Sequence, residues 1–131
     1  MKRYFAFVSL FLALAISTSF AQATATSNSD THIQSFSLLR AGASVKILWQ
    51  TASEKNNNYF EIQRSTDGEK FSVIALVFAK EDAFTGADYQ YIDNSQAQAG
   101  SEFVHYRIRQ VDMQGKSMYT VVRRFRTSNA R

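Results

Sequence analysis

The chain has 131 residues, no cysteine, no proline and a formal net charge of +4. A disulfide framework, a thiol nucleophile and a lipid anchor on cysteine are therefore excluded, and the length allows one domain that must hold together by packing alone. The charge is uneven: residues 22–106 carry six Lys/Arg against ten Asp/Glu, whereas residues 107–131 carry seven against one, an acidic body with a basic end.

Residues 1–21 read as a signal peptide. Lys2 and Arg3 make a basic start, Tyr4 to Ile16 is apolar apart from Ser9, and Ser19-Phe20-Ala21 offers the small residues of a cleavage site. The apolar run is shorter than the roughly 20 residues that span a bilayer. Cleavage after Ala21 leaves Gln22 first, with Ala23 and Ala25 as alternative sites, and a mature chain near +2. The expectation is an exported protein, periplasmic or extracellular, with no stable transmembrane anchor. Residues 22–31 are small and polar, a flexible leader.

From His32 onward the pattern has period two. Ile33, Phe36 and Leu38 suggest a first strand. Val45, Ile47 and Trp49 alternate with Lys46, Leu48 and Gln50 in a half-buried second. After the polar loop Glu54 to Asn58, Phe60 and Ile62 alternate with Glu61 and Gln63 in a third. Thr66-Asp67-Gly68 supplies a tight turn, and Phe71 to Phe78 is a fourth strand. Lys80 to Asp88 is a polar connection carrying Gly86, and Tyr89 to Asp93 a fifth strand. After the loop Asn94 to Glu102, Phe103 to Asp112 and Ser117 to Phe125 form two long strands joined by Met113-Gln114-Gly115-Lys116. About seven strands at this spacing predict an all-β antiparallel sandwich of immunoglobulin or fibronectin III type over residues 32–127, with 128–131 as a tail. Its expected core comprises Val45, Ile47, Trp49, Phe60, Ile62, Tyr106, Ile108 and Val121.

Four ordered motifs carry a resemblance. They are Trp-x-Thr-x-x-Glu-x-Asn-Asn from Trp49, Phe-Glu-Ile-x-Arg-Ser-x-Asp-Gly from Phe60, Tyr-x-Tyr-x-Asp from Tyr89 and Tyr-Arg-x-x-Gln-Val-Asp-x-x-Gly from Tyr106. Together they resemble the fibronectin type III-like domains of Bacteroidota exported proteins, over roughly residues 33–126. Such domains often precede a C-terminal sorting module for type IX secretion, and the residues up to Arg131 do not continue into that pattern. The resemblance implies a spacer, scaffold or adhesion module.

No catalytic constellation is evident. His32 stands beside the leader and His105 within a strand next to Tyr106; neither has a nucleophile or metal-ligand spacing around it. Glu81-Asp82 and Asp88…Asp93 offer a weak calcium reading without a calcium loop. No glycine-rich phosphate loop is present. The chain is therefore read as a non-enzymatic interaction module without metal or cofactor, serving adhesion, envelope scaffolding or association with another exported protein. Its expected partners are a protein or a cell-envelope glycan, not nucleic acid, with the chain itself monomeric or weakly self-associating.

The alternative is a binding module for anionic glycan at the basic end. With Ile108 inward, Arg107 and Arg109 face out. With Tyr119, Val121 and Phe125 inward, Arg124 and Arg126 face out as well. A hairpin register bringing Asp112 near Ser117 joins the four arginines into a cationic strip, with His105 nearly opposite Arg124. Glu61 and Glu69 are the candidate internal partners that would neutralise it.

Overall fold

The computed structural model describes residues 32–80, 85–94 and 101–127. The signal peptide and leader (residues 1–31), the Glu81-Asp82 pair and the tail (128–131) lie outside the described residues. Eight strands follow in order: β1 (Ile33–Ala41), β2 (Ser44–Thr51), β3 (Asn57–Ser65), β4 (Ser72–Phe78), β5 (Asp88–Asp93), β6 (Phe103–Asp112), β7 (Ser117–Tyr119) and β8 (Arg123–Arg126). They build two antiparallel sheets. One has the order β1-β2-β5. In the other β4-β3-β6 run side by side, with β7 and β8 in turn along the far edge of β6. Among the described residues no helix is long and apolar enough to cross a membrane.

The core lies between the sheets and follows the period-two pattern. Phe36, Val45, Ile47, Trp49 and Tyr89 of the smaller sheet pack against Phe60, Ile62, Val104, Tyr106 and Ile108 of the larger. Tyr89 stacks flat on Trp49, with centroids 5.1 Å apart, and Phe60 meets both rings edge-on. Offset and edge-on contacts of this kind add about 0.5–1.5 kcal/mol per pair beyond the area they bury.

The sequence pattern fails where the sheet slips register by one residue. Between Ile33 and Ser35 the β1–β2 pairing shifts, so Ile33 and Phe36 both pack against the core although they are three positions apart. The second slip corrects the expected last strand. Tyr119 stands opposite Arg109, and Thr120 bonds to Ile108 through both its N–H and its hydroxyl, yet Arg123 stands opposite Tyr106. Three steps along one strand match two along β6. The extra residue is a bulge that divides the expected long strand into β7 and β8 and reverses which side chains face inward. Phe125 accordingly packs against the core, whereas Tyr119 lies on the outer face and Val121, expected in the core, is 70% exposed.

Candidate interaction face

Residues of the four motifs hold the fold together. Arg64 Nη1 donates to both oxygens of Asp93, at 3.1 and 2.9 Å, and the Tyr106 hydroxyl donates to Asp93 Oδ2 at 2.8 Å. Asp93 belongs to the smaller sheet and the other two to the larger, so this buried cluster bolts the sheets together. Burial and the bond to Asp93 push the Tyr106 hydroxyl pKa well up. A second cluster closes the opposite end. The buried Glu54 carboxylate accepts from the Thr51 hydroxyl at 2.7 Å and the Tyr89 hydroxyl at 2.6 Å, and Lys80 N–H donates to the same tyrosine oxygen. Burial first, and the bond to Glu54 second, raise the pKa of Tyr89. Gly86 lets the chain pass this cluster: a Cβ there would lie 2.0 Å from the Thr51 carbonyl oxygen, and its φ is +89°.

Two motif aspartates shape turns. Asp67 Oδ1 accepts the N–H groups of Glu69 and Lys70, each at 2.8 Å, and the Ser65 hydroxyl at 2.7 Å. The bonds to the Lys70 and Glu69 amides, followed by that to Ser65, hold its pKa down at about 2. Asp112 Oδ1 likewise accepts from the N–H groups of Gln114 and Lys116.

The calcium reading separates on the same geometry. Asp93 points inward to Arg64 and Tyr106, while Asp88 points outward and accepts a hydrogen bond from Gln50. Among the described residues no group of three His, Cys, Asp or Glu side chains is placed to hold a metal ion.

The arginines singled out by sequence lie on the outer face of the larger sheet. Cross-strand pairing places Glu61 beside Arg109, Gln63 beside Arg107 and Ser65 beside His105. On the far side of β6, Tyr119 faces Arg109, Arg124 faces His105 and Arg126 faces Phe103. The four cations differ in how they are matched. Arg109 is paired with Glu61 at 3.0 Å, a bond that raises its pKa, and Arg126 is paired with Glu102 at 3.1 Å in an exposed pair. Arg107 and Arg124 have no carboxylate partner among the described residues. Arg107 Nε donates to the neutral Gln63, and its guanidinium lies between two rings, 4.1 Å from the centroid of Phe71 and 4.4 Å from that of Tyr119. Arg124 lies 4.7 Å over Phe103. A shallow cleft beside it is lined by Ser37, Leu38, Val122, Arg123 and Arg124.

The expected strip is thus reduced to two uncompensated guanidiniums held on aromatic rings. Glu61 is one of the neutralising partners the sequence suggested. Glu69 forms no ion pair among the described residues. The rings that hold Arg107 were not legible as part of the site. Phe71 precedes a strand two neighbours away, and strict alternation puts Tyr119 inward; the adjacent Val121-Val122 pair, which breaks the alternation, is the signal of the bulge that the sequence offers. No protein-family model, curated protein or solved structure matches the chain.

Proposed function

We propose that this chain is an exported, fibronectin type III-like β-sandwich that works as a binding module, without catalysis, for a protein or glycan of the cell envelope. The signal-like start supports export to the periplasm or beyond, and the four motifs support the domain type. The observation that carries a binding role is the outer face of the larger sheet, where Arg107 is sandwiched between Phe71 and Tyr119. A guanidinium held on aromatic faces keeps its position at little entropic cost and presents its remaining donors to an incoming group.

The absence of a carboxylate beside Arg107 and Arg124, among the described residues, favours an anionic partner, and an acidic polysaccharide is the second reading. Retention on an anionic polysaccharide column at low and high salt tests it. Binding should weaken steeply with salt, and the Arg107→Gln, Arg124→Gln double variant should lose retention while keeping its melting temperature. Unchanged retention by a folded double variant would overturn the anionic reading. Cell fractionation that found the protein in the cytoplasm with residues 1–21 attached would overturn export.

A further inference from the structure

Strand β4 has one neighbour. It pairs with β3, and among the described residues no strand lines its other edge. Ala79 N–H donates to Asn58 O at 3.0 Å. Backbone groups alternate in direction along a strand, so Val77 and Ala79 turn theirs toward β3, while Leu76 and Phe78 turn N–H and C=O to the open edge. The side chains of Val73, Leu76 and Phe78 stand on the outer face, 51%, 56% and 70% exposed. Edge strands are commonly guarded by charged side chains or proline. The stretch from Phe71 to Ala79 contains neither.

We propose that β4 is a dimerisation edge, pairing antiparallel with β4 of a second copy about a two-fold axis at Val77. The lack of charge selects this occupant, since two copies bring no like charges together, whereas an edge built for a charged peptide would carry the complementary sign. The register agrees. An axis at Val77 places Leu76 opposite Phe78 of the second copy, so the outward backbone groups meet as hydrogen-bonded pairs and apolar side chains meet on one face. The regular stretch is bounded at one end by the register slip between Val73 and Ala75, and at the other by Lys80, whose N–H is taken by Tyr89 and Glu54. A two-fold contact of this length closes on itself and is weaker than an interface of standard size. It continues the two larger sheets into one and sets both Arg107 sites on the same side, a bivalent display.

Sedimentation velocity over a concentration series tests the pairing. The purified protein should exchange between monomer and dimer. Leu76→Lys and Phe78→Glu, both at exposed positions, should each weaken the dimer by about tenfold or more with no change in melting temperature. An equimolar mixture of the two should recover it, because the introduced lysine faces the introduced glutamate across the axis. A wild-type protein that stays monomeric at its highest attainable concentration, an open-ended series of oligomers, or a mixture no better than either variant alone would each overturn the proposal. The Arg107→Gln, Arg124→Gln variant should dimerise like the wild type, which separates this result from the anionic reading.

Discussion

Along β6, Val104, Tyr106 and Ile108 are buried against the smaller sheet, while the residues between them, His105, Arg107 and Arg109, lie on the outer face. The inner row is completed by the protein itself, with Tyr106 reaching Asp93 across the seam. The outer row is completed only in part: Glu61 answers Arg109, but no carboxylate answers Arg107 among the described residues. One motif, Tyr106-Arg107, therefore supplies a bolt and a solvent-facing cation in consecutive positions. Most residues of the four motifs serve the seam and its turns, so their presence speaks to how the domain closes, and the binding role proposed above rests on the other face.

Substitutions in the seam should cost most. Trp49→Ala removes the ring at the centre of the aromatic cluster and should destabilise the protein by about 3–5 kcal/mol in chemical denaturation. A variant as stable as the parent would break the distinction between the two faces. Asp93→Ala leaves the Arg64 guanidinium without its buried carboxylate. Breaking buried pairs costs about 3–5 kcal/mol, and because Arg64 retains some solvent contact a value near the lower bound is expected. Tyr106→Phe removes one hydrogen bond to a charged acceptor and should cost roughly 1.5–3 kcal/mol.

Substitutions on the outer face should act on binding and leave stability nearly untouched. Arg107→Gln and Arg124→Gln should each shift the unfolding free energy by less than about 0.5 kcal/mol. A larger loss from Arg107→Gln would mean that the Phe71–Arg107–Tyr119 stack supports the fold, which would sharpen the boundary between the rows by moving it.

The smallest effect belongs to the exposed turn. The pKa of Asp67 is lowered from 3.8 to about 2. A depressed folded-state pKa gives a contribution that is fully present above the unfolded value and is lost as pH falls through about 2. NMR titration should therefore find this carboxyl still ionised at pH 3, and Asp67→Ala should flatten the decline in stability between pH 4 and pH 2. A carboxyl that titrates at the ordinary value would show that the turn is open in solution.

The inner row was largely legible from sequence. Val45, Ile47, Trp49, Phe60, Ile62, Tyr106 and Ile108 occupy alternate positions in unbroken strands, and all are buried. Alternation holds only while register holds, so it puts Val121, next to the bulge, on the wrong side. The outward direction of Arg107 and Arg109 is legible for the same reason; that of Arg124 and Arg126 follows from taking Phe125 inward, which holds only because the bulge separates Phe125 from the outward Tyr119. What each arginine meets is not legible, because it depends on which strands are neighbours. Glu61 reaches Arg109 across 48 positions of sequence, and Phe71 reaches Arg107 from beyond β3. The Arg64–Asp93–Tyr106 bolt joins three different motifs, and periodicity within any one of them carries no trace of it.

The bulge ahead of β8 behaves like a shift of reading frame written in side chains. Carried on from Tyr119 in strict alternation, β8 would be turned over as a block: Phe125 would emerge, Arg124 and Arg126 would turn toward the apolar interior, and Arg40 would lose the ring on which it rests, 4.7 Å away. The extra residue between Thr120 and Arg123 resets the frame, so that Tyr119 faces out and Phe125 in although an even number of positions separates them. Deleting that one residue would leave two steps against two along β6 and keep Arg123 opposite Tyr106, so the facing of β8 depends on how many residues the loop pairs with β6 and not on the residues of β8 alone.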